Sequence, residues 1–162
     1  MKKLVLVAVL LTLLVPNAAQ LFAADKPINI ALVTPIQIFK SNESITGLRW
    51  NIIYGKNADV TGLDVGIANH ASGKMQGIQW GAVNLAGQGG AGIQLGYVNI
   101  DNGGTFTGLQ YGWYNQTNQM VGLQFGLVNW TQSANGLQIG LINVIRKGGW
   151  FPVFPIINGS FK

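Results

Sequence analysis

Between Gly47 and Val144 the chain alternates apolar and polar positions inside an eight-residue phrase, Gly-Leu-Gln-Φ-Gly-Φ-Φ-Asn with Φ apolar, and the phrase recurs seven times. The clearest copies are GLQYGWYN from Gly108, GLQFGLVN from Gly122 and GLQIGLIN from Gly136, preceded by GIQWGAVN from Gly77 and GIQLGYVN from Gly92. Looser copies start at Gly62 and Gly47, so successive leading glycines are 15, 15, 15, 16, 14 and 14 residues apart. Numbering each phrase from its leading glycine, positions 2, 4 and 6 share one side of an extended strand, because successive side chains point to opposite faces. That side is wholly apolar: Leu or Ile at position 2, then Trp50, Val65, Trp80, Leu95, Tyr111, Phe125 and Ile139 at position 4, with a like row at position 6. The other side carries Gly, mostly Gln at position 3, and, two residues before each leading glycine, Ile45, Val60, Met75, Gly90, Phe106, Met120 or Ala134. Alternation of this kind predicts strands, and its constant period predicts one supersecondary unit copied along an array.

Two all-β architectures use the pattern. The one the repeat favours is a parallel β-solenoid with about 15 residues per coil: a strand over positions 2 to 7, a turn at the Asn, a short return strand and a turn at the next Gly. Every copy has the same polarity, so parallel stacking sets Gln on Gln and Asn on Asn in side-chain amide ladders, which antiparallel pairing would not align. The connections are uniform, whereas outer-membrane barrels alternate short turns with long loops. On this reading positions 2, 4 and 6 form the core, each buried Leu contributing about 1.5–3 kcal/mol, and Leu95→Arg unfolds the array. The alternative is an antiparallel outer-membrane β-barrel, with positions 2, 4 and 6 facing lipid and Gly and Gln facing the lumen. Tyr111 and Trp113, two large side chains in one phrase, fit a lipid-facing surface better than a narrow two-layer core.

The ends divide the chain further. Lys2 and Lys3 precede an apolar run from Leu4 to Val15, followed by Pro16 and small residues at Ala18, Ala19, Ala23 and Ala24. This predicts a secretory signal peptide over residues 1–24, its apolar core well short of the roughly 20 residues that span a bilayer. Residues 25–46 read as an N-terminal cap strand and lead-in, with Ile28, Ile30 and Leu32 alternating before Pro35; residues 47–149 are the array, and residues 150–162 a C-terminal cap strand. A chain without cysteine has neither disulfides nor thiolate sites.

Removing Lys2 and Lys3 lowers the formal charge from +5 to about +3, and charged residues make up only 9% of the chain. The remaining bases are scattered, which argues against a nucleic-acid surface. The lone His70 sits beside the Asn of its phrase and reads as a solvated turn residue; Asp59, Asp64 and Asp101 fall at unrelated repeat positions, so no carboxylate row for a metal emerges. Gly87-Gln-Gly89-Gly90-Ala-Gly92 matches a nucleotide-binding fingerprint in letters, yet a strand follows where a helix is required. No catalytic residue, cofactor or metal is therefore expected. The remaining candidates for partner contact are the Gln row, Gln79, Gln94, Gln110, Gln124 and Gln138, together with Trp130 and Trp150 outside the 2/4/6 rows. A Gln row either presents a flat Gln/Gly/Val face to a protein or glycan or is consumed in a coil-to-coil ladder, and an array with open ends invites self-association.

The phrase GLQxGLxN, with the lead-in ITGLRWNIIYGKNADVTGLDVGIAN over residues 45–69 and the closing GLINVIRKGGWFPVFPIINGSF over 140–161, resembles a bacterial family of surface-repeat proteins. The resemblance implies export and a location at the cell surface, outer membrane or periplasm, and brings no established activity and no defined functional residues; the array itself reads as non-enzymatic, structural or adhesive. The first copy departs from the pattern, with Arg49 for Gln, Asn51 for Gly and Tyr54 for Asn.

Overall fold

The computed structural model describes residues 26–161, so the expected signal peptide lies outside the described residues. Among the described residues all of the regular structure is strand: β1 (Ile28–Val33), β2 (Ile36–Gln37), β3 (Ile45–Asn57), β4 (Val60–Ala71), β5 (Met75–Trp80), β6 (Val83–Ala86), β7 (Gly90–Leu95), β8 (Val98–Asp101), β9 (Thr105–Lys147) and β10 (Val153–Ser160). The chain winds as a parallel β-solenoid of about 15 residues per coil. Pairing between coils is parallel and follows the repeat register, Gly47 beside Gly62, Gly62 beside Gly77, Gly77 beside Gly92 and Gly92 beside Gly108. An antiparallel barrel has no such pairing. β9 alone winds through the last three phrases, where the repeat is a residue or two shorter.

Each coil has two strand segments joined by a corner. The first runs from two residues before the leading glycine to position 4, as in β5 and β7; the second covers positions 7 to 10, as in β6 and β8. The bend thus falls at positions 5 and 6, at Gly81-Ala82 and Gly96-Tyr97, and the Asn at position 8 lies within the second segment rather than at a turn as the sequence suggests. The leading glycines stack so closely that a Cβ on Gly108 would lie 2.0 Å from the Gly92 carbonyl oxygen, and their φ values (132° for Gly108) suit glycine alone.

The inward face is the opposite of the one expected. Gln79, Gln94, Gln110, Gln124 and Gln138 are all completely buried, as are Asn69, Asn84, Asn99, Asn115, Asn129 and Asn143. The apolar rows at positions 4 and 6 point outward: Trp80 and Trp113 are each 62% exposed and Leu141 67%. The topology is therefore that of the solenoid and the side-chain polarity that of the barrel. Apolar packing inside is limited to a narrow column built from the position two residues before each leading glycine and from position 10. One cluster holds Val60, Ala71, Met75 and Ala86, the other Phe106, Met120, Ala134 and Ile145. The coil between them places Gly90 and Asp101 at those two positions.

Both ends are covered. β1 adds in parallel to β3, with Asn29 beside Arg49 and Ala31 beside Asn51, and β2 folds back antiparallel on β1. At the other end β10 lies antiparallel across the last coil, Asn158 beside Gln138.

Candidate functional site: an apolar corner groove over amide ladders

A polar interior is stable only when every amide is paired. In each coil the position-3 Gln Nε2 donates to the Gln Oε1 of the coil before it: Gln138 to Gln124 at 2.7 Å, Gln124 to Gln110 at 2.7 Å, Gln110 to Gln94 at 2.7 Å and Gln94 to Gln79 at 2.8 Å. Gln79 then donates to the Asp64 carboxylate at 2.9 Å, which Arg49 closes from the far side. The Asn ladder runs the other way, Asn51 Nδ2 donating to Asn69 Oδ1 at 2.8 Å and so on to Asn129, which donates to Asn143 at 2.8 Å. Opposed directions let the two rows of amide dipoles offset one another. Each ladder consequently ends on an acceptor without a donor, Gln138 Oε1 at the C-terminal end and Asn51 Oδ1 at the N-terminal end.

The Asn ladder also builds the corner. Its second N–H reaches the position-4 carbonyl of the next coil, Asn69 to Trp80 at 3.0 Å, Asn99 to Tyr111 at 2.9 Å and Asn115 to Phe125 at 3.0 Å. That carbonyl sits where the strand bends and, at Leu95 and Tyr111, also accepts from the Gly81 and Gly96 backbone N–H at 3.0 Å, so the side-chain amide is a second donor that ties the corner to the ladder. Glycine at position 5 makes room for it: a Cβ on Gly112 would stand 2.7 Å from Asn99 Nδ2 and 2.2 Å from the Gly96 oxygen.

The first phrase, which departs from the pattern in sequence, keeps the ladder by other means. A register shift between Asn51 and Tyr54 puts Gly55, not Tyr54, beside Asn69. The Asn51 side chain fills the space above Gly55, where a Cβ would lie 1.7 Å from its Oδ1, and supplies the missing rung.

Outside this scaffold, positions 4 and 6 stand as two walls over the position-5 glycines. Together they enclose an open groove of about 1230 Å³ along the corner, from Trp50 and Ile52 in the first coil to Ile139 and Leu141 in the last. Side chains stack along each wall: Tyr111 on Phe125 with ring centres 5.5 Å apart and planes 10° apart, and Tyr97 against Trp113 at 4.7 Å. Ile156 of β10 closes the C-terminal end.

The sequence-based candidates separate on this frame. The five Gln side chains are buried ladder rungs, so the flat Gln/Gly/Val face does not exist as a surface and none of them can touch a partner. Trp130 lies half-buried at position 9, on the outer side of the second segment, away from the groove. Trp150 stays half exposed while packing against Phe161, ring centres 5.9 Å apart, and over Gly159, as a cap residue does. The groove-wall residues were in view in the sequence but assigned to the core. The conflict between Tyr111 and Trp113 was the signal that they belong outside.

Titratable groups are few. His70 lies in β4 rather than in a turn, its Nδ1 2.8 Å from the Tyr54 hydroxyl, and burial, with Lys56 and Arg49 nearby, lowers its pKa. Asp101 is buried, which raises its pKa, while bonds from the Gly103 and Gly89 amides and the Thr117 hydroxyl act in the opposite sense. Among the described residues no cluster of three His, Cys, Asp or Glu side chains could hold a metal ion. Comparison with protein-family models, curated proteins and solved structures finds no match to this chain.

Proposed function

We propose that the chain is an exported, non-enzymatic repeat protein of a bacterial cell envelope, structural or adhesive in role, whose working surface is the apolar corner groove. The observation that carries this reading is the inversion of the fold. The polar side chains that could do chemistry are consumed as ladder rungs, and the apolar ones, which in most folds make the core, are left outside. Exposed apolar surface of this extent marks a site of contact with a partner or a membrane. A protein or glycan partner, if one is used, meets the aromatic walls rather than a Gln row. Export rests on the leader-like residues 1–24, and the envelope location on the likeness of the repeat to bacterial surface-repeat proteins.

The test is to express the full chain in a bacterium and fractionate the cells, washing the envelope with carbonate or urea before detergent. Recovery of a shortened chain with the envelope or outside the cell is the expected result. A full-length chain left in the cytoplasm sinks the proposal.

A further inference from the structure

From Met75 to Ile145 the sequence contains a single charged residue, Asp101, and its side chain is buried. The central coils therefore present no charge to their surroundings, a span of about 24 Å for five coils at 4.8 Å each. The uncharged exterior is also two-sided. The groove corner joins the end of the first segment to the start of the second, and the connections between coils lie at the opposite ends of both segments. Those connections are polar and exposed, with Gln88, Asn102, Asn118 and Gln119 at the surface. Each coil thus has an apolar aromatic edge and, across its width, a polar uncharged edge.

We infer that the solenoid lies along a lipid bilayer with its groove edge immersed in the interface, its axis in the plane of the membrane, and acyl chains in the groove. This deepens the envelope reading above and rests on it. Three features select lipid over a protein partner. The groove runs unbroken from the first coil to the last with apolar side chains on both walls, as suits linear hydrocarbon chains laid along it. Its floor is glycine from Gly66 to Gly140, and among the aliphatic side chains of its walls stand Trp50, Trp80, Tyr97, Tyr111 and Trp113, amphipathic rings that settle at the headgroup level. It offers no charged side chain, and its backbone groups are already paired coil to coil, so a protein would find little of the polar rim that fixes an interface. The polar edge decides the orientation. With the axis upright across a bilayer, the amides of Asn102, Asn118 and Gln119 would sit in hydrocarbon, whereas lying flat leaves them in water.

The experiment uses the chain from Asp25, the processed form expected above, purified in mild detergent and diluted into zwitterionic phosphatidylcholine vesicles, read by flotation and by tryptophan emission. Wild type is expected to float with the vesicles, its emission shifted to the blue. Leu127→Asp combined with Leu141→Asp, two exposed groove-wall substitutions, is expected to bind at least tenfold more weakly with an unchanged circular dichroism spectrum and thermal midpoint. Asn102→Asp combined with Asn118→Asp, on the polar edge, is expected to float like wild type. Failure of wild type to float overturns the inference even where the fractionation test has placed the chain in the envelope. So does equal flotation of the groove-wall variant. A discrete oligomer in detergent-free buffer that vesicles do not take up and that the groove-wall variant dissociates also overturns it, because the groove then belongs to a second copy.

Discussion

Arg49 grips Asp64 one coil away with two hydrogen bonds, Nε to one carboxylate oxygen at 2.7 Å and Nη2 to the other at 2.6 Å, both side chains fully buried. The pair occupies the two positions at which the other coils carry Gln, and it closes the Gln ladder with a charged donor in place of an amide. Arg49 also donates to Asn57 Oδ1 at 3.2 Å and to the His70 carbonyl at 2.9 Å, so the buried cation makes four hydrogen bonds to three residues.

A buried ion pair is costly to break and inexpensive to replace as a unit. Asp64→Gln alone strands the guanidinium and is expected to cost about 3–5 kcal/mol. Arg49→Gln combined with Asp64→Gln extends the repeat pattern by two rungs and is expected to recover most of that loss. Denaturant unfolding of the four proteins in the cycle measures it; a double variant as unstable as the single one would mean that the ion pair has a structural role an amide rung cannot take.

The inverted faces make opposite predictions for neighbouring residues. Gln110→Leu leaves one Gln124 Nε2 N–H and Gln94 Oε1 without their ladder partner, at about 1–3 kcal/mol for each unpaired group, despite being a polar-to-apolar change in an interior, while Gln124 keeps its bond to the Trp130 carbonyl. Trp113→Ser, at the exposed groove wall, is expected to stay within about 0.5 kcal/mol of wild type apart from its ring contact with Tyr97. Leu95→Arg, which a buried face would make an unfolding change, is expected to leave the array folded. Thermal unfolding of the three variants ranks them, and the reverse order would return positions 4 and 6 to the core.

Gly112→Ala tests the corner. Its backbone is not in the left-handed region, so the cost comes from contact: the new methyl meets the Gly96 oxygen and displaces Asn99 Nδ2 from the Tyr111 carbonyl. Overpacking of this kind costs about 1–3 kcal/mol. Ser or Ala at Gly103, in a looser connection where a Cβ would meet only the Gly87 oxygen at 2.6 Å, is expected to be milder.

Asp101 sets one pH dependence. Burial raises its pKa above the ordinary 3.8, so within the window above 3.8 the folded state holds the proton more tightly than the unfolded chain. Stability is then lost as pH rises through that window and regained as pH falls toward 3.8. His70 has the opposite sign: its pKa lies below 6.5 in the fold, and its contribution is lost as pH falls below 6.5. Asp101→Asn keeps an acceptor for the Gly89 and Gly103 amides. It is expected to be at least as stable as wild type at pH 7 and to remove the Asp101 component from the stability profile between pH 4 and 7, leaving that of His70.

The repeat by itself determined the strand alternation and the period and favoured parallel stacking with Gln on Gln and Asn on Asn; the pairing in the structure decided between that and an antiparallel barrel. The repeat also marked the first phrase as irregular, although Gly55 and the side chain of Asn51 could not be recognised as one composite rung before the register shift was seen. Which face turns inward was decided by the tertiary structure. Period-two alternation defines two faces and ranks them by hydrophobicity alone, and that ranking puts Trp80 and Trp113 inside. Stacking supplies what the single phrase lacks: the buried Gln and Asn find partners in the adjacent coil, so the desolvation cost that would exclude an isolated amide is met along each ladder except at its terminal acceptors, Gln138 Oε1 and Asn51 Oδ1. The space between the two segments holds the buried Gln and Asn of a coil beside a narrow column such as Met75 with Ala86 or Ala134 with Ile145, and the indole and phenol rings are left to line the groove.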